Sequence, residues 1–352
     1  MDELLATPKE MKRVIFRGIR AALLALGSAT KVELSHKLGI SFPTISKFLT
    51  QMEKDGELIL VGLDDSSGGR RAKRYAYNPE YMLGLAIFLE KTETNYMIFN
   101  CLGEVKEQGN TTSVLMDDVL SLTKQIEDII VNNPKISSIS IGVPGAVKNG
   151  RIIYMPSYEQ FHNLDLKGYF EERLSIPVVV ENDMNAAVLG YNNNRRNKEN
   201  SSLIYLYMGH NGPGAGILIN GDLVRGSTFF SGEVSFVPQY DDRNFLQSLN
   251  NGSTTEKETA NLRKDEEIDA ISRLVASFTA MINPHTVIFC NNEVNQTIIN
   301  QIAIRSATYI PEEHLPELTT SDWKQDYLYG LQKLGLDLMI SGTKISNDQE
   351  NR

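Results

Sequence analysis

The stretch Val178 to Ala187, VVVENDMNAA, runs three β-branched residues straight into two acids flanking an amide, then into the helix-like MNAAVLG. A carboxylate placed there, Asp183, can take the proton of an attacking hydroxyl, as the base of a phosphoryl transfer does, or it can hold a ligand's hydroxyls by accepting their hydrogen bonds. A third use needs no ligand, because acids at the end of a strand often cap the helix that follows. A second group with chemistry to offer lies near the N-terminus. Gly68 and Gly69 allow a tight turn, and Arg70, Arg71, Lys73 and Arg74 follow it, so guanidinium and ammonium groups gather where phosphates or a narrow minor groove would lie.

Those residues must be positioned by folded elements, and 352 residues with 41% hydrophobic content suffice for two or three structural units. No apolar run approaches the roughly 20 residues that cross a bilayer. The start, MDELLATPKEMKR, carries no apolar signal core, so no membrane partner and a cytoplasmic location are expected. Cys101 and Cys290 are too few and too separated for a disulfide framework or a cysteine-built zinc site, and read as small buried hydrophobes. The net charge of -9 is segregated: residues 1–80 hold thirteen Lys/Arg against ten Asp/Glu, +3, and the rest 22 against 34, or -12. A small basic module on an acidic body follows.

Ile15, Ile19, Ala22, Leu23 and Leu26 recur at helical spacing up to Gly27. Thr30 and Glu33 have capping-box spacing for a second helix carrying Leu34 and Leu38 and stopped by Gly39. Ser41 is placed to cap a third, with Ile45, Leu49 and Met52 inward and Thr44, Ser46, Lys47 and Thr50 outward. Two helices joined by KLGIS form a helix-turn-helix. ELILVG, the turn DDSSGG and RRAKRYAY then read as two strands with a tip, a wing. The order of these parts favours DNA recognition over a solvated basic hairpin beside an ordinary helical pair. The candidate contacts are Thr44, Ser46, Lys47, Arg70, Arg71 and Lys73.

From Tyr81 the pattern changes to two strand-like runs, LGLAIFLEKTETNYMIFNCLGEV. With the preceding module, SISIGVPGAV (138–147), IPVVVENDMNAAVLG (176–190), NGPGAGILINGDLVRGS (211–227) and GEVSFVP (232–238), the chain resembles the ROK family of repressors and sugar kinases. It resembles the repressor branch in particular. The resemblance implies an α/β fold: a winged helix-turn-helix over residues 1–80, then an actin-like (ribonuclease H-like), two-lobed ROK domain over 81–352. Lobe 1 would span about 81–181 plus the C-terminal helix, and lobe 2 about 182–324. It also implies that Asn182 and Asp183 contact sugar hydroxyls.

Residues matching the family's nucleotide elements have changed. Where its phosphate hairpin has an aspartate, a glycine pair and threonine, this chain has Ala86-Ile87-Phe88-Leu89-Glu90. Side chains there keep backbone amides away from a phosphate, and Glu90 repels it. Gly212, Gly214 and Gly216 persist in the second loop, but Asn211 and Pro213 break its pattern, and the glycines are read as hairpin formers. Cys290, Asn291 and Asn292 replace glycines of the adenosine segment. Asp183 is therefore read as a retained hydroxyl acceptor, with no catalytic residue and no cofactor. No metal is expected either, because Phe236 stands in the family's histidine position and the following stretch QYDDRNFLQSLNNGSTTEKETAN (239–261) contains no cysteine.

Glu233 survives from that motif and is a third candidate effector contact. His162 and Asn163 fall in a variable loop, while Trp323, Tyr327 and Tyr329 read as core or oligomer packing. The expected function is a sugar-responsive regulator, a homodimer or dimer of dimers. It would bind double-stranded operator DNA and be released by a sugar or sugar phosphate held between the lobes. A sugar kinase with an appended DNA module, and a repressor controlled by a protein partner, are the alternatives.

Overall fold

The structure is a computed structural model that describes residues 7–64, 71–155, 157–195, 201–209, 212–250 and 265–342. It opens with α1 (Pro8–Leu26), β1 (Ala29–Thr30), α2 (Lys31–Leu38), α3 (Phe42–Lys54), β2 (Leu58–Leu63) and β3 (Lys73–Tyr77), the three strands pairing in the order β1-β3-β2. Local chemistry sets these boundaries. Thr7 with Glu10 and Thr30 with Glu33 each form a reciprocal capping box, and α1 and α2 end at Gly27 and Gly39, both at positive φ. Ile19, Leu23, Leu34, Ile45, Leu49 and Met52 are fully buried beneath the sheet's Tyr75 and Tyr77. Ser41 precedes α3 but does not cap it: its hydroxyl is 2.9 Å from that of Thr44, and Pro43, which fits a helix's first turn, helps start the helix instead.

Buried polar groups fasten this unit. Arg20 and Glu57 form an ion pair, and Tyr77 donates to the same carboxylate at 3.0 Å. Arg74 does not reach outward for a phosphate as its sequence position suggests. Its guanidinium is held by Asp64 at 2.7 and 2.9 Å, Glu33 at 2.9 Å and the Ser28 carbonyl at 3.2 Å, which ties β3 to α2.

Residues 83–342 build two five-stranded sheets. The first has the order β10-β7-β4-β5-β6, from β4 (Leu83–Leu89), β5 (Glu93–Asn100), β6 (Val105–Thr112), β7 (Ile136–Val143) and β10 (Val178–Asn182). Between β6 and β10 also lie α4 (Val119–Asn132), the hairpin β8 (Ala146–Lys148) and β9 (Arg151–Tyr154), and α5 (Leu166–Leu174). After α6 (Asp183–Asn194) the second sheet has the order β13-β12-β11-β16-β17. Its strands are β11 (Leu203–Tyr207), β12 (Gly214–Ile219), β13 (Asp222–Leu223), β16 (Thr286–Cys290) and β17 (Glu317–Ser321). A small hairpin, β14 (Pro238–Tyr240) and β15 (Arg243–Asn244), precedes α7 (Phe245–Asn250) and α8 (Asp265–Ile282); α9 (Gln296–Ser306) and α10 (Trp323–Gly342) complete the chain.

The central strands β4, β7, β11 and β16 are covered on both faces, which explains their near-continuous apolar runs, while the edge strand β6 is largely exposed. Along β4, Leu85, Ile87 and Leu89 face the cluster with α4 and α5, while Ala86 and Phe88 face α10. Along β11, Ile204 and Leu206 face α8 and α9, while Tyr205 and Tyr207 turn to the middle layer. That layer is α6 against α10, which cross at two glycines. A Cβ on Gly190 would stand 1.8 Å from the Asp326 carbonyl oxygen, and one on Gly330 1.8 Å from that of Ala186. Helix α10 lies on β4 and β7 of the first sheet, α6 on β11 and β12 of the second, and α1 touches α10. Cys101 and Cys290 are buried free thiols, and Trp323 and Tyr327 are buried, as expected. Among the described residues no helix is long and apolar enough to cross a membrane.

Candidate functional site

The first candidate surface is one face of α3. Phe42, Pro43, Ser46, Lys47, Thr50, Gln51 and Lys54 line it, with no acid among them. Lys47 and Thr50 are exposed; Thr44 and Ser46 are half-buried, and the Ser46 hydroxyl accepts from Lys31 Nζ at 2.9 Å. Arg71 is exposed, and Lys73 is paired with Glu53 at 3.2 Å, with both side chains open to solvent, a contact that costs little to exchange. Arg70 lies outside the described residues. Phe42, half exposed at the first position of α3, escaped the sequence reading because an aromatic there resembles a core residue.

The second candidate is a cavity between the two sheets. Its walls are the β7–β8 turn (Pro144 to Ala146), the first turn of α6, Tyr207, the start of β12 and the segment from Arg225 to Glu233. Strand β10 delivers Asn182 and Asp183 to it because the chain passes directly from a buried parallel strand into a helix. Asn182, not Asp183, is the helix cap: its Oδ1 accepts from the Asn185 amide at 3.0 Å. Its amide group donates to the Gly145 carbonyl at 3.1 Å and to Asp183 Oδ1 at 2.8 Å, so Asn182 is spent chiefly on holding the cavity wall together.

Asp183 is 8% exposed and also accepts from the Met184 amide at 2.8 Å. Burial pushes its carboxyl up to about 7, the Met184 amide opposes that shift, and the charges of Glu233 and Glu90 reinforce it. Burial likewise raises Glu233, across the same cavity. The structure thus brings Asn182, Asp183 and Glu233 together. Glu181, the first acid of the motif, is drawn aside: it pairs with Arg225 and accepts from Asn185 Nδ2 at 3.0 Å. Arg225 was missed because its partner lies 44 residues earlier and nothing in NGDLVRGS marks it.

Gly216 does more than form a hairpin. A Cβ there would stand 2.0 Å from the Met184 carbonyl oxygen, so the missing side chain lets β12 lie directly on the first turn of α6. The β4–β5 hairpin is filled by side chains. The Phe88 ring packs at a tilt 4.7 Å from Tyr327 and 6.4 Å from Trp323, while Lys324 bridges Glu90 at 3.2 Å and Glu93 at 2.7 Å. His162 lies outside the cavity and is exposed, with Nε2 2.7 Å from the Ile153 carbonyl. Phe236 offers no ligand atom to a metal and leans on Phe230.

Two covered sheets about a helix pair, with a polar cavity between them, define an actin-like α/β protein. Residues 86–244 match the model of the ROK family. It is similar to the xylose repressor of Caldicellulosiruptor bescii, 28% identical over 215 residues, which are 58% of this chain and 53% of that repressor. The chain thus spans about half the length of that relative. It is also 31% identical to the beta-glucoside kinase of Listeria monocytogenes over 115 residues, 32% of this chain and 39% of the kinase. Its fold is that of a ROK family transcriptional regulator, a homologue of the E. coli MLC protein, with a TM-score of 0.68 at 17% identity over 94% of this chain and 98% of that one.

Proposed function

We propose that this protein is a sugar-responsive transcriptional repressor. Residues 1–80 would be a winged helix-turn-helix and 81–352 the effector-binding and oligomerising body, divided into the two lobes expected above. The observation that carries the DNA reading is the α3 face, which presents Lys47, Thr50 and Lys54 without an acid, next to the hairpin bearing Arg71. A helix of this kind, first-turn residues foremost, suits the major groove, and the hairpin suits the neighbouring backbone. A homodimer would pair two such modules on a near-palindromic operator.

The effector would lie in the inter-sheet cavity, its hydroxyls held by Asp183 and Glu233. Similarity to xylose repressors supports a sugar. The filled β4–β5 hairpin supports binding without phosphoryl transfer, since Phe88 and the Glu90–Lys324–Glu93 bridge take the place a phosphate would need. The test is selection of a duplex from a random pool by the full chain, followed by release with a panel of sugars and sugar phosphates. Equal specific binding by a fragment lacking residues 1–80 would remove the DNA assignment, and steady phosphorylation of a sugar with magnesium-ATP would make the kinase the better account.

A further inference from the structure

The polar cavity has a neighbour. A second, wider chamber of about 400 Å³ shares Gly212, Pro213 and Glu233 with it, and its character is different. Met116, Tyr154, Tyr158, Phe236 and Leu246 contribute apolar surface, and Lys91 and Asn244 contribute polar groups. Its volume falls in the range of about 300–1,000 Å³ typical of small-molecule sites.

The aromatic side chains are arranged in a row. Tyr154 lies 6.1 Å from Phe230, and Phe230 5.4 Å from Phe236. Phe230 is 42% and Phe236 50% exposed, and Met116 beside them is 70% exposed. A single exposed phenylalanine means little, but contiguous rings at the mouth of a polar cavity mark a contact surface for something flat and partly apolar. Pyranose rings have such a face, formed by axial C–H groups, and so do aryl groups.

We propose that the effector is a two-ring glycoside. Its sugar ring turns its hydroxyl edge to Asp183 and Glu233, and its second ring, a further sugar or an aryl group, sits in the outer chamber on Phe236 and Tyr154. Glu233 stands in the wall common to both chambers and spans the linkage. The proposal rests on the effector reading above and adds the ligand's size and the residues that measure it. Phe236 has the central part: at the position where the resemblance expects a zinc-ligating histidine, this chain has a ring facing the ligand side.

The test is calorimetry on the full chain with methyl glycosides and, for each, the matching disaccharides and 4-nitrophenyl glycosides. The wild type should bind a two-ring ligand about tenfold more tightly than the methyl glycoside of the same sugar, in line with one aromatic stacking contact. Phe236→Ala should bring that ratio close to one without changing methyl glycoside affinity, and Phe236→Tyr should preserve the ratio. Disaccharide and aryl arms tell which second ring is preferred. Equal affinity for one-ring and two-ring ligands in the wild type overturns this inference alone, as does equal weakening of both by Phe236→Ala. If no glycoside of either size binds, the effector reading itself falls, and this inference with it.

Discussion

Asp183→Asn keeps the shape of the side chain and the acceptor that meets the Met184 amide, but removes a charge that burial opposes. The folded carboxyl titrates at about 7 against 3.8 in the unfolded chain, so the folded state binds the extra proton. Stability from this group is complete below about pH 4 and is lost as pH rises to about 7. Three units at about 1.36 kcal/mol each put an upper bound of about 4 kcal/mol on the loss. Glu233 shares the cavity and its charge contributes to the Asp183 shift, so part of that total belongs to the pair. The variant escapes the penalty, and its new amide can donate toward Glu233. Urea denaturation of both proteins at several pH values measures the difference. Between about pH 5 and pH 8, two units of which lie below the folded value, the gap should move by about 3 kcal/mol in favour of Asp183→Asn and level off above pH 7. A gap that stays flat over that range would refute the claim that Asp183 is held protonated by burial.

At pH 8, above the folded value of about 7, where Asp183 is ionised, the same variant should bind operator normally yet need more than tenfold more effector for release, because a hydrogen bond to a charged group is worth about 1.5–3 kcal/mol; titrating release of a labelled duplex at that pH checks this. Arg71→Ala should weaken binding to specific and random duplexes alike and lower the slope of log affinity against log salt by roughly one. Glu57→Gln breaks the buried pair with Arg20 and should cost about 3–5 kcal/mol in urea, since it leaves a cation buried without its counter-charge. Gly330→Ala gains about 1 kcal/mol of helix propensity. Its Cβ would nevertheless meet a backbone carbonyl at 1.8 Å, so calorimetry should show a lower melting temperature, whereas Gly18→Ala, whose Cβ finds Leu38 at 3.5 Å, should melt at or above the wild type.

What the sequence disclosed was local. Thr30 and Glu33 are three residues apart, and Ile45, Leu49 and Met52 repeat along one helix, so boundaries and inward faces of the N-terminal unit could be read from spacing. The ENDMN run placed Asp183 at a strand end for the same reason. Pairings between distant segments left no such trace. Arg225 neutralises Glu181 from 44 residues away, and Lys324 joins a hairpin 231 residues before it. Composition alone suggested that the row of basic residues after Gly69 acts as a unit. The structure splits the described members: Arg71 is exposed, Lys73 pairs with Glu53, and the half-buried Arg74 is held in a three-way junction because Asp64 and Glu33 lie within reach of its planar head group.

The crossing of α6 and α10 sets how the two sheets can move. Helices in backbone contact at Gly190 and Gly330 have no side chains there to slide over, so the soft motion left to them is rotation about the contact, as in a pair of shears. The arms are unequal. Gly330 stands seven residues from Trp323, which packs at a tilt against the cavity residue Tyr207, and twelve from the far end of the helix, or roughly 10.5 and 18 Å at 1.5 Å per residue. Rotation about that point would therefore enlarge a displacement at the cavity end roughly 1.7-fold at the other. The N-terminal unit touches this helix through α1, so a rotation of α10 about Gly330 would be felt by that unit as well as by the two sheets.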